Sequence, residues 1–131
     1  MTEVPKRKIL IFDNNKILVD MMTVIMRDEG YSVKGSPFTV NFMQIVQDYK
    51  PDLLLVDHHK NPPFNAYNLC SQLKVNPQTA HIPVIVLSIY GGQEVNTVDE
   101  IAPDSVIVKP FSLNKLAWQV EQLLSLNKQL K

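Results

Sequence analysis

Glycine and cysteine are both scarce in this chain, which has four glycines and one cysteine among 131 residues. Gly30, Gly35, Gly91 and Gly92 match neither the P-loop pattern nor the dinucleotide-binding pattern, so a glycine-rich phosphate cradle is not expected. Cys70 has no second cysteine with which to form an internal disulfide, which agrees with a reducing compartment. Because Cys70 lies in an amphipathic segment with no suitable histidine and aspartate nearby in sequence, we interpret it as a small packed side chain.

An excess of charge of one sign is also absent, since 13 Lys and Arg residues balance 13 Asp and Glu residues. Proteins that bind nucleic acid or anionic membranes by general electrostatic attraction usually carry a basic excess, so neither partner is expected. No run approaches the roughly 18 apolar residues of a membrane span, and the N-terminus has no signal-peptide pattern. We therefore expect a cytoplasmic protein, and its length predicts a single domain over residues 1–131.

Short apolar runs alternate with segments of helical periodicity along the whole chain. The apolar runs predict five strands, at Ile9–Phe12, Tyr31–Lys34, Leu53–Val56, Val84–Leu87 and Val106–Val108. The periodic segments predict five helices, at Ile17–Met26, Phe42–Tyr49, Tyr67–Leu73, Glu94–Ile101 and Leu113–Leu124. Gly30 fits a C-cap of the first helix, and Ser112 fits an N-cap of the fifth. Five β/α units predict an α/β fold, a parallel five-stranded sheet with helices on both faces.

Four of the predicted strands end in a polar side chain, namely Asp13, Asp57, Ser88 and Lys109. Ligands bind outside the carboxyl ends of the strands in such sheets, so we expect these four residues to converge. Carboxylates suit Mg²⁺, and a lysine ammonium and a serine hydroxyl suit phosphoryl oxygens. Each residue alone has a simpler interpretation, an aspartate as a turn former or helix cap and the lysine as a surface charge. Together they predict a site that receives a phosphoryl group.

Four segments of the chain resemble the receiver domain of bacterial two-component response regulators. They are Ile9-Leu-Ile-Phe-Asp13-Asn14, Pro51-Asp-Leu-Leu-Leu-Val-Asp57, Pro83-Val-Ile-Val-Leu-Ser88 and Val108-Lys109-Pro110-Phe111. The resemblance extends from Lys8 to about Leu124. It implies a flavodoxin-like, doubly wound sheet with strand order 2-1-3-4-5. It also implies a signalling domain, whose only chemistry is its own phosphorylation and dephosphorylation.

The resemblance assigns a role to each polar side chain at the strand ends. Asp57 is then the phosphoacceptor, which takes a phosphoryl group from a sensor histidine kinase, a phosphotransfer protein or a small phosphodonor. Lys109 contacts the phosphoryl oxygens, and its peptide bond to Pro110 is cis. The side chain of Ser88 moves toward the phosphoryl group when Asp57 is phosphorylated. The ligands of Mg²⁺ are then the side chains of Asp13, Asn14 and Asp57 and the backbone carbonyl of His59.

The same resemblance implies a protein-binding face that phosphorylation switches. This face consists of the fourth helix, the fifth strand and the fifth helix, and its partner is an output domain or a separate protein. A homodimer through the last two β/α units is a further expectation. The resemblance leaves open whether residues 1–131 are a whole protein or a receiver domain excised from a longer regulator.

Several positions depart from the pattern of the family, and three of them bear on the metal site and the switch. Asn14 stands where the family usually has a second acid, which predicts weaker Mg²⁺ binding because carboxylates provide much of the attraction for this cation. Ile89 stands where a small residue is usual, and its bulk is expected to narrow access to the site. Val106 replaces the usual aromatic switch residue. Tyr90 is a candidate substitute for it, although packing on the surface is the simpler interpretation of that tyrosine.

Two other functions are alternatives to a phosphoacceptor domain, and the departures favour the first of them. The chain is alternatively a pseudo-receiver, an interaction module that keeps the fold without phosphorylation control. The other alternative is a Mg²⁺-dependent phosphatase of the haloacid dehalogenase type, with Asp57 as its nucleophile. Such enzymes need a second aspartate two residues after the nucleophile, and His59 stands at that position here. The doublet His58-His59, with His81, permits a transition-metal site as well, although adjacent side chains diverge along an extended chain.

Overall fold

The computed structural model describes residues 5–58, 65–89 and 103–129, which contain a five-stranded sheet and four helices. The strands are β1 (Lys8–Phe12), β2 (Ser32–Ser36), β3 (Leu53–Asp57), β4 (Val84–Ser88) and β5 (Ser105–Val108). The helices are α1 (Lys16–Asp28), α2 (Phe42–Tyr49), α3 (Ala66–Val75) and α4 (Leu113–Gln129). The five predicted strands and four of the predicted helices are confirmed. The helix predicted over Glu94–Ile101 lies outside the described residues, so α4 is the fifth predicted helix.

The strands are arranged in the order β2-β1-β3-β4-β5, and every neighbouring pair is parallel. This order confirms the flavodoxin-like α/β fold. The chain runs outward from β1 to β2 and then crosses back to β3 on the other side of β1. Ligand sites of such sheets lie where the direction of winding reverses, which here is the carboxyl end of β1 and β3.

Both faces of the sheet are buried under helices, as continuous apolar strands require. Alternate residues of a strand point to opposite faces. Leu10 and Leu54 pack in the cluster that α2 and α3 cover, and Ile9 and Leu53 pack in the cluster that α1 and α4 cover. Cys70 of α3 is fully buried in the first cluster, which confirms its interpretation as a packed side chain. No helix among the described residues has the length and apolar character needed to cross a bilayer.

Short polar side chains and a glycine mark the ends of the helices. Asn15 caps α1, because its side chain accepts a hydrogen bond from the backbone N–H of Leu18 at 3.2 Å. Gly30 follows α1 with a φ of 97°, a left-handed conformation that glycine adopts without strain. The hydroxyl of Ser112 accepts a hydrogen bond from the backbone N–H of Lys115 at 3.0 Å, which confirms the predicted cap of α4.

Helix α1 packs closely against β2. A Cβ on Gly35 of β2 would lie 2.5 Å from Cγ1 of Val19, so the approach of helix to strand depends on this glycine. The structure corrects the expected apolar stripe of α1, because Ile17 and Met21 are 74% and 49% exposed. At 100° per residue, Met21 lies about 100° and Ile17 about 140° around the helix from Met22, which faces the core.

Candidate functional site

The carboxyl ends of four strands bring the predicted polar side chains to one edge of the sheet. Asp57 and Ser88 are the last residues of β3 and β4, and Asp13 and Lys109 directly follow β1 and β5. The parallel registers of these strands align their ends. The convergence predicted from the sequence is therefore present in the fold.

Lys109 and Asp57 form an ion pair at this edge. The Nζ of Lys109 donates a hydrogen bond to Oδ1 of Asp57. The side chain of Asp57 is 8% exposed and that of Lys109 is 24% exposed. Because the pair is largely removed from water, the ammonium offsets a charge that would be costly to bury. The peptide bond between Lys109 and Pro110 is cis, as predicted.

Asp13 is nearly buried and shapes the turn between β1 and α1. Its Oδ1 accepts a hydrogen bond from the backbone N–H of Asn15 at 2.9 Å, and its own N–H donates to the carbonyl of Ser36 at 3.1 Å. Its Oδ2 is shielded from solvent. The interpretation of Asp13 as a turn former is thus confirmed, because its Oδ1 accepts the hydrogen bond that closes the turn.

Asn14 makes a contact that sequence reasoning did not predict. Its Oδ1 accepts a hydrogen bond from the backbone N–H of Phe38 at 3.1 Å, across 24 positions of the chain. Asn14 is exposed, whereas Asp13 and Asp57 are buried. The side chain therefore connects the turn after β1 to the segment after β2.

The donor set at this edge fits a hard divalent cation. Asp13 and Asp57 contribute two nearly buried carboxylates at the ends of neighbouring strands, and the ammonium of Lys109 leaves these three groups with one net negative charge. Mg²⁺ is commonly bound through one or two carboxylates together with waters and phosphate oxygens. The backbone carbonyl of His59, the remaining predicted ligand, lies outside the described residues.

Ser88 is buried at the end of β4 and is tied to the strand next to it. It is 1% exposed, and its backbone carbonyl accepts a hydrogen bond from the N–H of Lys109 at 2.9 Å. Val106 is half-buried and packs against the apolar cluster under α2 and α3. Tyr90, the candidate substitute for the aromatic switch residue, lies outside the described residues.

His58 joins the end of β3 to the start of α3. Its backbone N–H donates to the carbonyl of Leu87 at 3.0 Å, and its Nδ1 accepts a hydrogen bond from the N–H of Ala66 at 3.2 Å. Its ring is 7% exposed and contacts the ring of Tyr67 edge-on at 4.9 Å. The sequence suggests metal binding for this histidine and gives no sign of its hydrogen bond to the start of α3, which lies eight positions further along the chain.

The transition-metal hypothesis receives no support from the part of the chain that is described. Within residues 5–58, 65–89 and 103–129, no group of three or more His, Cys, Asp or Glu side chains could hold a metal ion. The Nδ1 of His58 is engaged with α3, and His59 lies outside those ranges.

A groove of about 390 Å³ opens beside Lys109, between α1 and the segment that leads into α4. It is lined by Asn15, Leu18, Met21, Ile89, Lys109, Pro110, Phe111 and Leu113, and we call it the Lys109 groove. Ile89 is 63% exposed and forms part of this lining. Two features of the sequence relate to this groove, namely Met21 in the apolar pattern of α1 and the bulky Ile89 after β4.

Comparison with known proteins finds similar sequences along most of the chain. The model of the family described as response regulator receiver domain matches residues 9–121. The phosphate regulon transcriptional regulatory protein PhoB of Pseudomonas aeruginosa is 31% identical over 120 residues, which cover 90% of this chain and 52% of that protein. The chain thus spans about half the length of this relative.

Solved structures show the same fold. A CheY-like receiver domain protein of Methanospirillum hungatei superposes with a TM-score of 0.81, at 22% identity, over 97% of this chain and 100% of that one. The receiver domain of a sensor histidine kinase of Pseudomonas aeruginosa superposes with a TM-score of 0.77, at 17% identity, over 92% and 99% of the two chains. That receiver domain was solved with a magnesium ion coordinated in its active-site cleft.

Proposed function

The chain belongs to the response regulator receiver domain family of two-component systems, and we propose that it accepts a phosphoryl group on Asp57. Receiver domains are signalling domains that interact with histidine kinases and output domains, and the family match gives no support to a haloacid dehalogenase-type phosphatase. The observation that carries the proposal is the contact between Asp57 and Lys109, at the edge of the sheet where Asp13 and Ser88 also lie.

The proposed reaction is a transfer from a phosphohistidine or a small phosphodonor. A carboxylate oxygen of Asp57 attacks phosphorus, and an O–P bond forms as the bond from phosphorus to the donor breaks. The donor leaves with the electron pair of that bond, and a leaving histidine takes up a proton. Lys109 already contacts the carboxylate, so its ammonium needs only a short movement to neutralise the phosphoryl oxygens. The hydroxyl of Ser88 can then donate to a phosphoryl oxygen.

We propose that the carboxylates of Asp13 and Asp57 hold Mg²⁺. When bound, the cation supplies positive charge to the phosphoryl oxygens. The magnesium ion in the cleft of the Pseudomonas aeruginosa receiver domain supports this assignment. With an amide at position 14, the site offers fewer carboxylates than the usual pattern of the family, so the proposed affinity for Mg²⁺ is lower.

The surface around the site supports a protein as the phosphodonor. The Lys109 groove presents Met21 and Ile89, which are 49% and 63% exposed, next to the lysine that contacts Asp57. A histidine kinase or a phosphotransfer protein that covers these apolar side chains would bring its phosphohistidine to the same edge of the sheet.

For the output we propose the face that includes β5 and α4. This face carries two exposed apolar side chains, Val108 at 51% and Trp118 at 56%, which favour contact with an output domain, a separate protein or a second copy of the chain. We propose a cytoplasmic location for this receiver domain.

Phosphorylation is tested by treating the protein with acetyl phosphate or phosphoramidate and Mg²⁺, and recording the intact mass. We expect one phosphoryl adduct in the wild type and none in Asp57→Asn. Asp48→Asn, which changes an exposed carboxylate on α2, is the matched control and should retain the adduct. Absence of an adduct in the wild type, or an adduct that Asp57→Asn leaves unchanged, would contradict the proposal.

The second candidate function is that of a pseudo-receiver, which binds its partner without phosphorylation. The observation that favours it is the engagement of the Asn14 amide with the backbone of Phe38. A partner that binds wild type and Asp57→Asn with equal affinity, with and without Mg²⁺, would support this function. Robust phosphorylation of Asp57 that changes partner affinity would exclude it.

A further inference from the structure

We propose that Asn14 is a positioning residue that fixes the segment after β2, and that it is not a ligand of Mg²⁺. The inference rests on the proposed function only where it concerns the cation. The contact that carries it, between Oδ1 of Asn14 and the N–H of Phe38, belongs to the fold.

Each residue of the turn after β1 makes a different contact. Asp13 accepts the N–H of Asn15 and so closes the turn, and Asn15 accepts the N–H of Leu18 and so caps α1. The side chain of Asn14 reaches the segment after β2, where it accepts the N–H of Phe38. The three successive polar side chains thus have separate structural tasks.

The contact of Asn14 extends the link between β1 and β2 beyond the end of the strands. The backbone N–H of Asp13 donates to the carbonyl of Ser36, the last residue of β2. Pro37 follows and has no N–H, so the next donor along the chain is Phe38. The amide oxygen of Asn14 accepts from that donor and holds the chain beside the proposed site.

Phe38 makes this attachment point rigid. Its side chain is 1% exposed, and its ring stacks on that of Phe12 at 5.5 Å and meets that of Phe42 edge-on at 5.7 Å. Phe12 directly precedes the turn, and Phe42 is the first residue of α2. The hydrogen bond of Asn14 therefore ends on a packed aromatic cluster that connects the site to α2.

The chemistry of the amide makes Asn14 a poorer ligand for the cation than a carboxylate while it holds the segment. A carboxylate at position 14 could accept the N–H of Phe38 with one oxygen and bind Mg²⁺ with the other. The amide of Asn14 has a single oxygen, and its nitrogen is a donor that cannot bind a cation. A cation on the second lone pair of that oxygen would lie near the positive end of the N–H group that occupies the first, and the neutral amide has no net charge to offset this repulsion.

Amide hydrogen exchange at Phe38 tests the contact without any change of sequence. We expect the exchange rate of this amide in saturating Mg²⁺ to stay within about twofold of its rate without Mg²⁺, because Asn14 keeps its hydrogen bond to Phe38. We expect Asn14→Ala to accelerate the exchange by roughly tenfold or more. Acceleration of roughly fivefold or more by Mg²⁺ in the wild type would show that Asn14 leaves Phe38 for the cation, and would overturn the inference.

Calorimetric titration with Mg²⁺ tests the second half of the inference. The dissociation constant of Asn14→Ala should remain within about twofold of the wild type, whereas Asp13→Asn should weaken binding by roughly tenfold. Asn15→Ala, a change in the same turn that also removes a structural hydrogen bond, is the matched control and should behave like Asn14→Ala. Asn14→Asp should strengthen binding, because it restores a carboxylate.

The outcomes separate this inference from the proposed function. If Asn14→Ala weakens Mg²⁺ binding as much as Asp13→Asn does, Asn14 is a ligand and the inference is wrong. If the wild type binds no Mg²⁺ at all, the proposed function loses its cation. The role of Asn14 in the segment then stands or falls with the exchange rate of Phe38 measured without Mg²⁺, and an unchanged rate in Asn14→Ala refutes it.

Discussion

Replacing Lys109 with methionine removes a cationic partner of Asp57 while it keeps an apolar stem of similar length. Loss of one partner from a buried ion pair usually costs about 3–5 kcal/mol, because the remaining charge stays buried. Here the lysine side chain is 24% exposed and the aspartate side chain 8% exposed, so water already solvates part of the pair. We therefore expect Lys109→Met to lower the free energy of unfolding by about 2–3 kcal/mol.

The reverse substitution, Asp57→Asn, should cost much less. It leaves the charge of Lys109 on a flexible stem that can reach water, and it removes one of two buried carboxylates at neighbouring strand ends. We expect a loss below about 1 kcal/mol for this variant. The asymmetry between the two variants is the signature of a carboxylate that is more deeply buried than its partner.

Urea unfolding without Mg²⁺, followed by circular dichroism, measures both losses. With an m-value of roughly 1.5 kcal/mol/M, the midpoint of Lys109→Met should fall by about 1.3–2 M. Lys115→Met, which changes an exposed lysine on α4, is the control and should stay within about 0.5 kcal/mol of the wild type. Equal losses in Lys109→Met and Asp57→Asn, or a loss below about 0.5 kcal/mol in Lys109→Met, would refute the reasoning.

Addition of Mg²⁺ extends the same experiment. A cation that binds the folded state alone stabilises it in proportion to the logarithm of its concentration over the dissociation constant. Because the ammonium of Lys109 and Mg²⁺ compete for the carboxylate of Asp57, Lys109→Met should bind Mg²⁺ more tightly by roughly three- to tenfold. Millimolar Mg²⁺ should therefore raise the urea midpoint of this variant more than that of the wild type, and an equal rise would contradict the competition.

Three further substitutions test other contacts of the fold. Gly35→Ala places a Cβ 2.5 Å from Cγ1 of Val19 and should cost about 1–3 kcal/mol in the same urea titration. Val19→Ala should recover much of that loss in the double variant, and strictly additive losses would contradict the steric explanation. His58→Leu removes the acceptor for the first backbone N–H of α3 and should cost about 1–3 kcal/mol. His58→Asn, whose amide oxygen can replace Nδ1, should cost less, and equal losses would argue against this hydrogen bond. Burial raises the pKa of Tyr31, so the folded state holds this proton more tightly than the unfolded chain does. The resulting stability is complete below the ordinary tyrosine pKa of about 10 and is lost as the pH rises through the higher folded value. Tyr31→Phe should therefore reduce the alkaline fall in Tm, and an identical fall in both proteins would contradict this assignment.

The candidate site could be predicted from the sequence to the level of residues, and less well to the level of atoms. Asp57 and Lys109 were predictable because each stands at the carboxyl end of an apolar run, and parallel strands bring those ends together. Asn14 was predictable as a member of the site and not as the partner of Phe38, because no local pattern marks a hydrogen bond that spans 24 positions. The same holds for the contact of His58 with the start of α3.

The amino-acid sequence by itself determined the succession of strands and helices along the chain, the α/β class and the polar residues at the strand ends. These features depend on periodicity and apolar content, which each segment carries in its own residues. Only the tertiary structure decided that Gly35 lets α1 pack closely on β2 and that Lys109 forms an ion pair with Asp57. It also decided that Asn14 accepts a hydrogen bond from the backbone of Phe38. Those contacts depend on strand register and on side-chain direction across the sheet, which are set when distant segments pack together.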